Sequence, residues 1–413
     1  MNKPMLVNMN RRLGALLIVL FSAALCSACS SDPQPAAMRS VTAPLGLAQA
    51  QASDIKPPPI PAPPEVPARG YFLMDYVSGQ MLAASNESER LEPASLTKLM
   101  SAYAVFHALK DGRIKLDDVV TISSYARSQE GSRMFVEVGS QVSVEDLIQG
   151  MIVQSGNDAT VALAEYVGGS EPVFVDLMNR YAQQLGMVNS RFQNSPGMPS
   201  PEHYTTARDI AILAAALIRD FPEYYKWYSQ REYTWNRITQ PNRNGLLARD
   251  PSVDGLKTGH TSSAGYCLVS SAKRADMRLI AVVMGADSVR KREDASVALL
   301  NYGFNFYETR RLYTADQPVL SLPVWKGAAN EIALAAPHDV YATIPRGQEG
   351  ALSVAVDVAE PLIAPLSTDA KIATLRVTLG EETLGSWPLH PAANVEEAGF
   401  FGRVFDDMRL WLQ

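Results

Sequence analysis

From Tyr71 to Ser85 the apolar positions come in two short runs, "YFLMDY" and "MLAAS", on either side of the turn-forming stretch Val77-Ser78-Gly79-Gln80. That pattern predicts a β-hairpin. Apolar residues then recur at helical spacing over 93–109, 143–153, 157–167, 171–185 and 206–221. Gly168 and Gly186 stand at two of these ends, where a residue free to take positive φ stops a helix. After Val253 the period falls back to two: "AGYCLVSSAK" and "MRLIAVVMG" read as successive strands, and 294–307 as a closing helix. Strands, helices, strands and a last helix predict an α+β domain over 68–312 whose sheet is completed by both chain ends.

Beyond it the pattern differs. Over 313–395 short alternating runs, "DVYATIPRG", "LSVAVDVAE", "AKIATLRVTLG" and "TLGSWPLH", predict a small all-β sandwich domain. Residues 396–413 predict an amphipathic helix. Phe400, Phe401, Val404, Phe405, Met408, Trp411 and Leu412 share one face, and Arg403, Asp406, Asp407 and Arg409 lie mostly on the other. At the other end, Lys3, Arg11 and Arg12 precede the apolar run 13–25, which closes on Cys26, Ser27, Ala28 and Cys29. A basic start, a short apolar stretch and a small-residue end describe an export signal over 1–28, because spanning a bilayer takes about 20 apolar residues. Ser27-Ala28-Cys29 resembles the lipobox of bacterial lipoproteins, with Cys26 where that pattern usually has leucine. Lipidation at Cys29 and ordinary cleavage near Ala28 both stand as readings. Residues 29–67 are rich in Ala, Ser, Gln and Pro, with seven prolines between Pro57 and Pro67. Such a segment is expected to run as an extended tether.

Composition narrows the function. A net charge of -6 excludes a phosphate-tracking nucleic-acid surface. Cys267 is the single cysteine of the folded body, so neither an internal disulfide nor a cysteine metal cluster can form there. His107, His203, His338 and His390 are scattered without metal-ligand spacing.

Three stretches carry chemistry. In "EPASLTKLM", Pro93 suits a first helical turn, so Ser95 falls near a helix N-terminus that favours developing negative charge. Lys98 follows on the same face, as a base would follow a nucleophile. Ser270 and Lys273 repeat the spacing inside a strand, where positions three apart face opposite ways; that pair is background. "VQSGNDATVALAEY" sets Ser155 and Asn157 in a turn between two apolar helices, where they read equally as a helix cap with Gly156. "VDGLKTGHTSS" places Lys257 and two glycines in a strand that they weaken, a cost that strand formation alone does not explain.

Ser-x-x-Lys, Ser-Gly-Asn and Lys-Thr-Gly in this order resemble the penicillin-recognising serine enzymes. Within them the chain is similar to low-molecular-mass penicillin-binding proteins of the serine-type D-alanyl-D-alanine carboxypeptidase kind. "LEPASLTKLM", "IVQSGNDA", "NRNGLL", "VDGLKTGHT" and "AGYCLVSSA" carry the likeness from about residue 68 to the C-terminus. The resemblance implies that Ser95 attacks the carbonyl of the penultimate D-alanine of a peptidoglycan pentapeptide and that Lys98 takes its proton. It implies a proton relay through Ser155 with help from Lys257, a substrate amide held by Asn157, and an oxyanion hole from the N–H groups of Ser95 and His260. It implies that the Lys257 strand lines an acyl-transfer cleft, where Gly259 lets a substrate backbone approach and Lys257 brings positive charge toward Lys98 and a substrate carboxylate. Thr258, Arg243 and Arg292 are the expected carboxylate binders. β-Lactams are implied as inhibitors, no cofactor is implied, and the terminal helix is expected on the inner membrane's periplasmic face. Arg133 departs from the smaller residue that relatives carry beside the active-site loop.

Two other readings compete. A class A β-lactamase needs a glutamate over the deacylating water, and 180–205 offers only Glu202. A non-catalytic wall-binding or morphology protein would not need all three motifs intact.

Overall fold

A computed structural model describes residues 37–45 and 60–412. The export signal, Cys29 and residues 46–59 of the expected tether lie outside them.

The central sheet is antiparallel and runs in the order Met81–Ser85, Gly70–Asp75, Met277–Ala286, Gly265–Arg274, Val253–Thr261. Alternation along each strand sorts side chains into two cores. Phe72, Met74, Val269, Ile280 and Val282 pack into the helical lobe, while Tyr71, Leu73, Leu268, Leu279 and Ala281 pack on the opposite side. The helix Val289–Phe306 covers that second side. It begins at Val289 rather than 294, because Ser288 accepts a hydrogen bond from the Lys291 N–H and caps a charged first turn that shows no apolar period.

In the helical lobe, Lys98–Lys110 is buried on every side from Lys98 to Phe106, as a helix apolar all round must be. Asn157–Gly168, Glu171–Gln184 and Ala207–Asp220 surround it. Gly169, at φ +74°, closes the first of these; Gly168, the expected stop, is its last residue and makes room for Phe174. Gly186 takes φ +76° at the end of the next, as expected.

The all-β domain starts at Tyr307 rather than 313, since Tyr307–Tyr313 pairs with Val340–Pro345. The remaining strands form one antiparallel sheet in the order Ala37–Thr42, Leu352–Glu360, Ala373–Leu379, Glu382–Pro391, Glu331–Ala335, Pro318–Pro323. Both sheets share one apolar core. The first strand corrects the reading of 29–67 as tether throughout. Val41 lies opposite Val356, Arg39 pairs with Glu360 at 3.2 Å, and Tyr313 Oη donates to Pro44 O at 2.5 Å. Only Val41, Ala43 and Leu45 alternate inward in this stretch, so its strand state comes from the edge it covers rather than from its own pattern. The far end of the expected tether is docked as well: Ile60, Val66 and Ala68 pack on the core between the central sheet and the helix Val289–Phe306, and Tyr302 Oη donates to Pro61 O. Buried Asp75 joins the domains, accepting from Thr309 Oγ1 at 2.7 Å.

The terminal helix spans Phe400–Trp411 and buries none of its residues. Asp406 and Asp407 turn toward the all-β domain, where Asp406 Oδ2 accepts from the Lys326 N–H and Asp407 pairs with Lys326 Nζ. Phe401 and Trp411 are each 86 % exposed. No helix among the described residues is long and apolar enough to cross a membrane.

Candidate active site

Ser95 sits in a single tight turn, Ala94–Thr97, and the α-helix begins only at Lys98. Ala94 enters that turn at φ +47°, a left-handed conformation that costs an alanine about 1 kcal/mol and aims the next residue away from the helix axis. Ser95 is half-exposed while Lys98 is buried. Lys98 Nζ lies 3.1 Å from Ser95 Oγ, and it donates to Asn157 Oδ1 at 2.6 Å and to Pro196 O at 2.8 Å. The expected pairing of Ser95 with Lys98 is thus present, held by two acceptors that residue spacing did not indicate.

The second stretch joins the helices Val144–Ile152 and Asn157–Gly168. Ser155 takes φ +61° there, and its Oγ accepts from Lys257 Nζ at 2.8 Å. Asn157 Nδ2 donates to Glu130 O at 2.5 Å, so its Oδ1 must face Lys98. Neighbouring Asp158, which drew no notice in the sequence, accepts from the N–H groups of Met134, Phe135 and Val136 and pins the loop carrying Arg133. Arg133 is half-buried with its guanidinium over Phe135.

Burial pushes the Lys98 amine down from 10.5 to about 7, with Arg243 adding to the fall and Asp158 opposing it. Lys257 is depressed well below its ordinary value, again first by burial and then by the positive charges of Lys98, Arg243 and Arg292. Two buried amines among arginines resist holding two protons. One neutral amine at neutral pH is what a serine nucleophile needs.

On the strand Val253–Thr261, Lys257 also donates to Thr258 O at 2.9 Å, and Thr258 is buried beside it. Gly259 also meets a packing demand that its place in the sequence did not announce. A Cβ there would lie 2.9 Å from Pro93 O and 3.3 Å from Leu96 N, so the glycine lets the strand press against the turn that holds Ser95. His260 is exposed, its ring stacked on Tyr266 at 4.0 Å. Arg243 is exposed at the cleft and donates to Gln154 O at 3.4 Å. Arg292 is buried, with Nη1 directed at the carbonyls of Gly259 and Cys267. Of the two arginines, Arg243 is the one open to solvent. Ser270 lies buried within the sheet and Lys273 is exposed, as their alternation requires. Glu202, the one carboxylate a lactamase reading had to offer, is exposed beside Arg191.

The family of D-alanyl-D-alanine carboxypeptidases matches residues 58–288, and the family "Penicillin-binding protein 5, C-terminal domain" matches 307–397. The D-alanyl-D-alanine carboxypeptidase DacC of Escherichia coli K12 is 47 % identical over 351 residues, covering 83 % of this chain and 88 % of its own. The crystal structure of penicillin binding protein 5 from Haemophilus influenzae is 44 % identical, with a TM-score of 0.79 over 81 % of this chain and 99 % of that one. Penicillin-binding protein D2 of Listeria monocytogenes, in its cefotaxime-bound form, matches at 27 % identity and TM-score 0.55, covering 59 % of this chain and 100 % of that one. With two family matches that tile both folded domains and a relative nearly half identical, the chain belongs to the D-alanyl-D-alanine carboxypeptidase family.

Proposed function

We propose that this protein is a serine-type D-alanyl-D-alanine carboxypeptidase that removes the terminal D-alanine from peptidoglycan pentapeptides through an acyl-enzyme on Ser95. The observation that carries the reading is the buried Lys98 amine, lowered to about 7 and 3.1 Å from a half-exposed Ser95 Oγ. Ser95 Oγ bonds to the carbonyl carbon of the penultimate D-alanine as its proton passes to Lys98 Nζ. The N–H groups of Ser95 and His260 face the oxyanion that forms. The C–N bond then breaks, and the leaving amine takes a proton through Ser155, whose Oγ is tied to Lys257 Nζ. Water cleaves the ester, returning Ser95 and a shortened peptide. Asn157 holds the substrate amide, while Thr258, Gly259 and Arg243 line the path of the terminal carboxylate. That carboxylate favours a proton on Lys257, whose own surroundings disfavour one.

A β-lactam offers the same acyl group and carboxylate, so penicillin is expected to acylate the same oxygen. The purified protein should release D-alanine from a pentapeptide, and mass spectrometry after penicillin treatment should find the penicilloyl group on the peptide containing Ser95. An adduct on the Ser270 peptide, or folded protein with neither D-alanine release nor adduct, would overturn the reading.

The proposal extends to location: an exported protein held on the periplasmic face of the inner membrane by its terminal helix. What supports this is the orientation of that helix. Phe400, Phe401, Phe405, Met408, Trp411 and Leu412 are all more than 60 % exposed, a surface suited to the headgroup boundary of a lipid layer. Asp406 and Asp407, which would repel anionic lipid, are occupied by Lys326. In vesicle co-sedimentation, removal of 396–413 should abolish binding of the non-lipidated protein and leave D-alanine release from soluble peptide intact. Equal sedimentation of both forms would eliminate the anchor.

A further inference from the structure

Glu171 opens the helix Glu171–Gln184, is 8 % exposed, and lies outside all three motifs. A buried carboxylate needs donors, and it has three. Its Oε1 accepts from the Ser195 N–H at 2.9 Å and from Ser195 Oγ at 2.7 Å, and its Oε2 accepts from Tyr125 Oη at 2.6 Å. Ser195 is gripped from its other side too, where its carbonyl accepts from Ser101 Oγ at 2.6 Å, on the helix that Lys98 begins. The next carbonyl, that of Pro196, therefore arrives 2.8 Å from Lys98 Nζ. We infer that Glu171 is a positioning residue for acylation, holding the Ser195-Pro196 segment so that the Pro196 carbonyl orients a neutral Lys98.

The inference rests on Lys98 being the base, and the geometry around Nζ explains what orientation does. A neutral amine has two N–H groups and one lone pair. The atom Asn157 presents to Lys98 is its acceptor Oδ1, since its nitrogen faces Glu130 O with one N–H and keeps the other for substrate, and the Pro196 carbonyl is an acceptor by nature. Both N–H groups are thereby used, and the lone pair is left for the remaining neighbour, Ser95 Oγ at 3.1 Å. Without the Pro196 carbonyl in place, the amine is held by Asn157 Oδ1 alone, can turn about that one bond, and the lone pair loses its aim. The charged groups that face Lys98 are Arg243, Asp158 and Lys257; Glu171 acts through the backbone it holds.

Position and charge separate in two variants. Glu171→Gln removes the charge, keeps an oxygen for both Ser195 donors and turns its NH₂ toward Tyr125 Oη, which accepts as readily as it donates. Glu171→Ala removes every contact. The test is the rate and amplitude of acylation by labelled penicillin, with Lys98→Ala alongside. Glu171→Ala is expected to react to full amplitude with a rate on the order of 10- to 100-fold lower, the cost of misplacing a reacting group by about 1 Å. Glu171→Gln should recover most of that rate. A wild-type rate in Glu171→Ala, a loss explained wholly by lower amplitude, or equal slowness in the glutamine variant would overturn the inference. If Glu171→Ala does not fold, Glu171→Asp, which withdraws the carboxylate by ~1.5 Å, takes its place: slower reaction at full amplitude supports the inference, and a wild-type rate sinks it. Near-wild-type acylation in Lys98→Ala would remove the base assignment itself. An inert Lys98→Ala with an unaffected Glu171→Ala would remove only the role given to Glu171.

Discussion

Lys98→Ala is expected to slow acylation of Ser95 by roughly 10²- to 10⁴-fold, the range over which a positioned general base contributes. The fold should survive, because removing the side chain relieves a buried amine of its desolvation as it leaves Asn157 Oδ1 and Pro196 O without their donor. The pH dependence makes the assignment specific. With its amine lowered to about 7, Lys98 is protonated and unable to accept below that pH and free to accept above it. The wild-type acylation rate should therefore climb about tenfold per pH unit on the acid side and level off above about 7. The residual rate of Lys98→Ala should lack that limb. Stability gives an independent reading of the same group. Between about 7 and 10.5 the unfolded chain holds a proton on Lys98 that the folded protein does not, so folding stability gains with rising pH across this window. Denaturant titrations at several pH values should show a shallower rise in Lys98→Ala. Lys257, depressed in the same direction, supplies the slope that remains. An unchanged acid limb in the variant would show that another group takes the Ser95 proton.

What the sequence revealed of this site is what side-chain chemistry can reveal. Ser95, Lys98, Ser155, Asn157 and Lys257 are rare combinations at fixed spacing, and strand alternation around Leu73, Leu268 and Ile280 announced the sheet that carries one of them. The other half of the site is backbone. Pro196 O and Glu130 O orient Lys98 and Asn157, yet every residue owns a carbonyl, and no pattern marks the two that matter. Ala37–Thr42 stayed hidden for a related reason. Its pairing partner lies more than three hundred residues away at Leu352–Glu360, and a strand recruited by a distant edge needs little period of its own. Asp406 and Asp407 show the limit of a helical wheel. The period separated them from the aromatics but did not tell that Lys326 would pair its ammonium with Asp407 and give its backbone N–H to Asp406. Gly259 was singled out, but for access to substrate, because a contact with Pro93 across the fold leaves no trace in the chain order.

Gly197→Ala is expected to damage the enzyme nearly as much as Lys98→Ala, although Gly197 carries no side chain and belongs to no motif. It takes φ +89°, and a Cβ built there would collide with the carbonyl of Ala94 and come within 2.8 Å of Thr97 Oγ1. Those two residues flank the turn that holds Ser95. Neither can retreat. Thr97 Oγ1 is bonded to the Nε2–H of His203, whose burial keeps the ring neutral and whose Nδ1 accepts from the Gln193 N–H. Ala94 is backed by the strand at Gly259, where even one added Cβ would come within 2.9 Å of Pro93 O and 3.3 Å of the Ala94 Cβ. The turn that holds Ser95 is thus clamped between two glycines, one on each side. A methyl group at Gly197 must push the turn toward Gly259 or lift the 194–198 segment, and with it the Pro196 carbonyl, away from Lys98. Displacement of about 1 Å at either place costs on the order of 100-fold in acylation. The strained φ and the overlap together should remove about 3 kcal/mol of stability. Thermal unfolding measures the second effect, and acylation by labelled penicillin, corrected for the folded fraction by amplitude, measures the first. A Gly197→Ala protein that acylates within about threefold of wild type, a difference of less than about 1 kcal/mol in barrier, would mean that the turn is not clamped.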